Sequence, residues 1–172
     1  MNSTMNRINP EIYTLDSVDV APLLLGKLLC VNTNGTVKKA RITETEAYFG
    51  EDDTACHAHK GRTKRTEILY RKGGVSYVYL CYGIHALMNV ITGPDEHPQG
   101  VLLRGVEGLS GPGKLTKALG ITCEHNGVDL VSSDIIWLED DGFKPKEIKT
   151  SPRIGIDYAT KEYRDKLWRF YI

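Results

Sequence analysis

The sequence predicts an α+β fold built around a curved antiparallel β-sheet. The first observation is a set of short segments that are rich in β-branched and aromatic residues and separated by turn signals. The second is the dipeptide Asn34-Gly35, which is typical of a two-residue hairpin turn. The third is a length of 172 residues without an internal repeat or linker, which predicts a single domain over residues 1–172.

The first predicted elements are a helix and a β-hairpin. Residues 15–27 have apolar side chains at helical spacing, with glycine near the end. Residues 28–32 and 37–48 flank Asn34-Gly35, so we expect them to pair as antiparallel strands.

An antiparallel meander should follow. Three β-rich segments, separated by Tyr82-Gly83 and by Gly93-Pro94-Asp95, predict strands at residues 76–81, 86–92 and 101–106. The remaining elements are a short helix from Lys114 to Leu119 and two further strands, at residues 135–138 and 153–156.

The glycine-rich turn before this helix nearly spells a phosphate-binding P-loop. Leu115 stands where that motif needs a Ser or Thr to hold magnesium, so a P-loop is excluded. The turn and Lys114 predict either a single phosphate bound at a helix N-terminus or a plain helix start.

The charge pattern neither indicates nor excludes nucleic acid as a partner. Lys plus Arg and Asp plus Glu number 22 each, so the formal net charge is zero. Residues 59–72 are nevertheless basic, with Glu67 as their one acid. A solvated loop would be the favoured explanation if this segment stood alone.

Cysteine spacing and hydropathy bear on metal binding, export and membrane insertion. The four cysteines lie far apart, with no pairing at zinc-finger spacing, so we expect no structural metal. The sequence shows neither a signal peptide nor an apolar run that could span a membrane. We therefore expect a cytoplasmic protein, associated with the nucleoid if the source is bacterial, with no membrane partner.

The strand-like stretch from Arg41 to Tyr48 carries most of the chemical information. Glu44, Glu46 and Tyr48 occupy alternate positions, and alternate side chains of a strand lie on the same face. Two carboxylates beside an aromatic ring indicate a site where water and a flat ligand meet.

Aromatic residues form a second group. Tyr77 and Tyr79 share a strand face, a pattern that is usually core, although a ring beside Tyr48 could stack on a planar base. Tyr82 is predicted at a hairpin tip, where a large ring either wedges between stacked bases or folds back onto the core.

Three further residues are ambiguous when each is taken alone. His57 is a lone histidine, and such residues most often have a structural role or lie on the surface. Asn89 and Arg104 lie on separate predicted strands, and Arg104 is either exposed or turned inward to orient a carboxylate. No serine or cysteine has an evident base partner, so covalent hydrolase chemistry is not supported.

Taken together, these residues resemble the alkyladenine (3-methyladenine) DNA glycosylase family in order and spacing. The resemblance covers most of the chain and rests on Glu44-Thr-Glu46-Ala-Tyr48, His57, Tyr77-Val-Tyr79, Tyr82-Gly83, Met88-Asn89, Val101-Leu-Leu-Arg104, Gly113-Lys-Leu-Thr-Lys-Ala-Leu119, Trp137-Leu138, Arg153-Ile-Gly155 and Arg169-Phe-Tyr171. It implies a single domain with a curved antiparallel β-sheet, a protruding β-hairpin and surrounding helices.

The resemblance also implies roles for individual residues. Glu46 matches the general base that activates water, and Arg104 matches the residue that helps to position that water. No role attaches to Glu44. The residues implied in DNA and base binding are Tyr48, His57 and Tyr79 around a flipped base, Asn89 as the residue that screens out normal guanine through its exocyclic amine, and Tyr82 as the intercalating wedge.

The implied function is DNA base-excision repair by a monofunctional glycosylase that needs no cofactor. Its partner would be double-stranded DNA with alkylated or deaminated purines, of the 3-methyladenine, 7-methylguanine or hypoxanthine type. Water activated by Glu46 would hydrolyse the N-glycosidic bond and leave an abasic site. We expect the protein to act as a monomer.

Two other functions remain open at this point. One is a module that grips nucleic acid without cutting it, as a related non-catalytic domain of methionyl-tRNA formyltransferase does. The other is a small-molecule hydrolase that uses Glu44 and Glu46, although this function leaves Tyr82 without a purpose. The neutral net charge and the lack of a long basic N-terminal extension bear on DNA affinity rather than on chemistry.

Overall fold

A computed structural model describes residues 6–172 and confirms the predicted α+β fold with a strongly curled antiparallel sheet. Within these residues the sheet has nine strands, in the order β3-β4-β5-β2-β1-β7, while β6 pairs with β5 and β9 pairs with both β2 and β8. The strands are β1 (Leu28–Thr33), β2 (Thr36–Phe49), β3 (Ser76–Cys81), β4 (His85–Ile91), β5 (Gln99–Val106), β6 (Leu109–Ser110), β7 (Ile136–Glu139), β8 (Lys149–Ser151) and β9 (Arg169–Tyr171).

The long strand β2 organises the sheet. Its first half pairs with β1 across the turn at Asn34 and Gly35, both of which have positive φ, as the hairpin signal predicts. Its second half pairs with β5 and β9. One strand therefore joins the two parts of the curled sheet.

In the part of the chain that the structure describes, three short α-helices accompany the sheet: α1 (Ser17–Leu23), α2 (Pro112–Leu119) and α3 (Lys161–Arg164). Leu24, directly after α1, and Leu115 of α2 are fully buried in the main apolar core. The prediction of a helix over residues 15–27 was too long, because Pro22 cannot continue the hydrogen-bond ladder and Gly26 turns the chain at φ 86°. None of the helices in residues 6–172 is long and apolar enough to cross a membrane.

The prediction of a strand at residues 153–156 was wrong. The strand in this region is β8, which ends at Ser151, and the chain then leaves the sheet. The side chain of Arg153 is buried against Asp53, so this segment is held by an ion pair rather than by strand pairing. The strand predicted at residues 135–138 is present as β7.

Strands β3 and β4 form the protruding hairpin. Its tip carries Tyr82, which is 91% exposed, and Ile84, which is 74% exposed. Tyr82 has φ 52°, a left-handed conformation that destabilises a bulky residue by about 1–2 kcal/mol. The hairpin tip is confirmed, and the alternative in which Tyr82 folds back onto the core is wrong.

The register of the strands places the site residues in one row across the sheet. Asn89 of β4 lies opposite Tyr77 of β3 and opposite Leu102 of β5. Leu102 lies opposite Glu46 of β2, and Glu46 lies opposite Arg169 of β9. Residues that are far apart in the sequence therefore meet along a single line.

Candidate active site

Glu46 is the centre of the candidate site. Its carboxylate has no exposed surface and accepts hydrogen bonds from the Ile154 backbone N–H at 2.6 Å and from the Tyr48 hydroxyl at 3.0 Å. Burial raises the pKa of Glu46, and it outweighs the opposing effects of Ile154, of the Arg104 charge and of Tyr48. A shielded carboxylate of this kind is a stronger base than one in water.

Arg104 lies close to Glu44 and approaches Glu46 at an irregularity in the sheet. The register between β2 and β5 shifts on both sides of Glu44, and Arg104 has no direct partner on β2. Such bulges re-aim side chains. The Arg104 Nε atom lies 2.8 Å from Glu44 Oε1, and its Nη1 atom lies 3.8 Å from Glu46 Oε1.

An aromatic pocket opens beside Glu46. It brings together four of the predicted site residues, Tyr48, His57, Tyr79 and Asn89. The rest of its lining consists of Ala55, Cys56, Leu69, Tyr77, Gly100 and Tyr158. Because Tyr48 lines the pocket and donates to Glu46, it connects the aromatic wall with the buried carboxylate.

His57 forms an aromatic cluster with the two tyrosines of β3. Its ring lies 4.7 Å from that of Tyr79, nearly edge to face, and its Nδ1 atom lies 2.9 Å from the Tyr77 hydroxyl. Burial first, and then the charges of Arg65 and Lys60, lower the pKa of His57 to about 4. The imidazole is therefore neutral at pH 7 and has one donor and one acceptor nitrogen.

Asn89 is held in a fixed orientation at the pocket wall. Its side chain is buried, and Nδ2 donates to the backbone carbonyl of Tyr77 at 3.2 Å. One donor position and the amide oxygen remain for a ligand.

Two residues that shape the site, the buried Arg153 and the largely exposed Tyr158, received no role from the sequence. Arg153 forms a two-pronged ion pair with Asp53, at 2.6 and 2.9 Å, and its guanidinium lies 4.8 Å from the centre of the Tyr48 ring. The pair joins segments that are 100 residues apart, so no spacing pattern reveals it. Tyr158, which donates to the Ala55 carbonyl at the pocket wall, also escaped prediction because it lies in an irregular loop.

The basic segment at residues 59–72 contributes to the pocket rim. Arg65 places its guanidinium 5.2 Å from the centre of the Tyr79 ring. Arg62 is instead occupied by ion pairs with Glu67 and Glu96. Only part of this segment is therefore available for phosphate groups. Within residues 6–172, no three His, Cys, Asp or Glu side chains are grouped so that they could hold a metal ion.

Comparison with known proteins assigns the chain to a single family. A model of the Methylpurine-DNA glycosylase (MPG) family matches residues 11–172. A protein of Borrelia garinii subsp. bavariensis named "Putative 3-methyladenine DNA glycosylase" is 46% identical over 93% of this chain and 92% of its own length. Proteins of the same name from Clostridium perfringens strain 13 and Natranaerobius thermophilus are 42% and 41% identical, each over 96% of this chain and 95% of its own length.

The chain therefore belongs to the methylpurine-DNA glycosylase family. The predicted enzyme class, a DNA-3-methyladenine glycosylase that hydrolyses N-glycosyl bonds, is confirmed, and its substrate is DNA.

Proposed function

We propose that this protein is a monofunctional glycosylase that removes alkylated or deaminated purines, of the 3-methyladenine, 7-methylguanine or hypoxanthine type, from duplex DNA. The observation that carries the proposal is the buried carboxylate of Glu46, linked through Tyr48 to an aromatic pocket. Residues 1–172 would act as one domain and as a monomer, without a cofactor.

The pocket suits a flat heterocycle. Tyr48, Tyr79 and His57 offer aromatic faces and edges, and stacking of one base on such a ring contributes roughly 1–3 kcal/mol. A purine that is alkylated at N3 or N7 carries positive charge, which aromatic faces attract. The neutral His57 adds no cation that would repel it.

Asn89 and His57 would read the edges of the base. Asn89 is anchored by its own amide on Tyr77, so it cannot rotate freely to accommodate a different hydrogen-bond pattern. A normal guanine would meet this fixed group with its exocyclic amine and be disfavoured, whereas 7-methylguanine, which keeps that amine, would still be released because its positive charge makes it a good leaving group. A pocket that leaves a buried polar group unpaired discriminates strongly between ligands.

In the proposed reaction, water attacks C1′ of the deoxyribose and Glu46 accepts its proton. The bond from C1′ to the base breaks, and its electron pair leaves with the purine, which becomes neutral if it was alkylated. The negative charge of Glu46 also stabilises the oxocarbenium-like sugar. Arg104, with Nη1 at 3.8 Å from Glu46, would help to orient the water.

Access to the sugar requires the nucleotide to leave the stack. Tyr82 at the exposed hairpin tip is suited to fill the gap, since its ring is exposed, and its backbone has an unfavourable φ of 52°. Backbone strain of this kind is often found at functional positions.

Replacing Tyr82 with Ala is expected to weaken binding to a lesion duplex by roughly 1–3 kcal/mol, because the vacated stack is no longer filled and the base competes to return. Single-turnover excision and duplex binding titrations measure this effect. Tyr82→Phe keeps the ring and should retain nearly all of the binding. Equal losses on duplex and single-stranded lesions in Tyr82→Ala would show that Tyr82 is not a wedge.

The proposed function is tested by base release from DNA. Purified protein is incubated with duplexes that contain 7-methylguanine, 3-methyladenine, hypoxanthine or only normal bases, and free bases are separated by chromatography. We expect release of the damaged purines alone. Tight binding of all four duplexes without release would instead indicate the non-catalytic binding module.

A further inference from the structure

Charged side chains form a balanced, largely buried network around Glu46. Its members are three carboxylates and three guanidinium groups, those of Glu44, Glu46, Asp53, Arg104, Arg153 and Arg169. Burying a charge is unfavourable unless it is paired, so the way these six groups are paired decides the charge that Glu46 carries to the substrate.

Glu44 holds two of the arginines. Its Oε1 atom lies 2.8 Å from Arg104 Nε and accepts a hydrogen bond from Arg169 Nε at 2.7 Å. The closest contact of Arg104 with Glu46 is a full ångström longer, at 3.8 Å. Within residues 6–172, Arg104 Nε makes no hydrogen bond, so Arg104 and Glu44 form an ion pair by proximity, and this contact is shorter than that of Arg104 with Glu46.

Asp53 holds the third arginine in the same way. Both Nη atoms of Arg153 donate to its carboxylate, and they also donate to the backbone carbonyls of Ala47 and Tyr163. Arg153 lies beneath the ring of Tyr48, the residue that contacts Glu46 directly. The Asp53 carboxylate thereby offsets most of the effect of the Arg153 charge on Glu46.

Glu46 is left with two neutral donors, the Ile154 N–H and the Tyr48 hydroxyl. Such donors hold a carboxylate in position without neutralising it. A guanidinium in direct contact would lower the pKa of this carboxyl by about 1–3 units and weaken it as a base.

We propose that Glu44 and Asp53 are positioning residues that hold Arg104 and Arg153 away from Glu46 and thereby keep Glu46 free of a close ion pair. This inference rests on the proposed role of Glu46. It assigns a purpose to Glu44, whose carboxylate is nearly as deeply buried as that of Glu46.

The charges that face Glu46 agree with this arrangement. Arg104 approaches from β5 and Arg153 from the loop after β8, while Arg169 of β9 acts through Glu44. The Arg104 and Arg153 charges do lower the pKa of Glu46, but burial outweighs them and the pKa stays above its ordinary value. A direct ion pair with Arg104 would reverse this balance.

The test is the pH profile of single-turnover excision from a duplex that contains 7-methylguanine. This lesion is already cationic, so its departure needs no protonation and the acidic limb of the profile reports the general base. In Glu44→Gln, Arg104 loses its partner and can close on Glu46. The acidic limb should move about one pH unit lower, and the plateau rate should fall about tenfold, because a paired carboxylate is a weaker base.

Arg169→Gln should move the limb in the opposite direction. Without Arg169, Glu44 pairs with Arg104 alone and draws it further from Glu46, and one nearby cation is lost. The acidic limb should therefore move to higher pH. A purely structural role of these residues would not produce shifts of opposite sign.

Glu139→Gln is the matched control. Glu139 is a buried carboxylate of β7 that pairs with Lys39 and accepts from the Trp137 indole, on a strand that is not part of the site. It should lower stability without moving the profile. The inference would be overturned if the acidic limb of the pH profile stayed at its wild-type position in folded Glu44→Gln and in Arg169→Gln. If Glu44→Gln does not fold, the position of the limb in Arg169→Gln alone tests the inference. Full activity of Glu46→Gln would be a separate failure, that of the proposed function.

Discussion

Replacing Glu46 with Gln should slow single-turnover excision of 7-methylguanine by about 100-fold or more and leave binding to the lesion duplex intact. Glutamine has nearly the shape of glutamate, and its amide oxygen can accept from the Ile154 N–H while its NH2 group donates to the Tyr48 hydroxyl oxygen. It can neither take a proton from water nor offset the charge of the sugar. Rapid-quench measurements with enzyme in excess give the rate, and a titration with labelled duplex gives the affinity.

Glu44→Gln is the appropriate comparison for this variant. The two carboxylates are two residues apart, share a strand face and are both buried, so effects on folding should be similar. The loss of rate should be much smaller for Glu44, because it contacts arginines rather than Tyr48 and the pocket. Equal losses would mean that the two carboxylates act as a coupled pair, and full activity of Glu46→Gln would contradict the mechanism.

Replacing Asp53 with Asn should lower the free energy of unfolding by about 3–5 kcal/mol. The change removes the counter-charge of Arg153, whose guanidinium is buried and cannot move into water. It also weakens the acceptors of the Phe49 and Ala55 backbone N–H groups, which hold the turn after β2. Urea unfolding at neutral pH measures the change.

Asp134→Asn is a suitable control for Asp53→Asn. Asp134 also pairs with an arginine, Arg7, but its side chain is 81% exposed. Exposed ion pairs contribute about 1 kcal/mol or less, so this variant should stay close to the wild-type stability. Similar losses in both variants would show that the Asp53 pair is not the buried clamp described above.

The sequence was most informative where chemistry follows local periodicity. Alternation along β2 placed Glu46 and Tyr48 on one face, and the hydrogen bond between them confirms it. The turn signal at Tyr82-Gly83 located the hairpin tip, and the exposure of the Tyr82 ring confirms it. The resemblance pointed to Tyr79, His57 and Asn89, and these three residues do line one pocket.

The sequence was least informative where the site depends on contacts between distant segments. Arg153 was assigned to a strand, since the apolar residues that follow it look β-like, yet its pairing with Asp53 takes it out of the sheet. The bulge that brings Arg104 to Glu44 arises from the register of two strands and leaves no mark in either one. For the same reason, the sequence assigned no role to Glu44.

In the proposed mechanism water attacks the sugar, and no covalent link forms between enzyme and DNA. A bifunctional glycosylase uses an amine at C1′, which needs a lowered pKa that burial or cationic neighbours usually supply. Lys60, Lys64 and Lys72 of the basic segment are exposed side chains and better suited to phosphate contact. The direct measurement is excision of 7-methylguanine in the presence of borohydride. We predict that the base is released, that the strand stays intact until alkali is added, and that no protein–DNA adduct forms. An adduct mapped by mass spectrometry to any lysine would contradict the water-based mechanism.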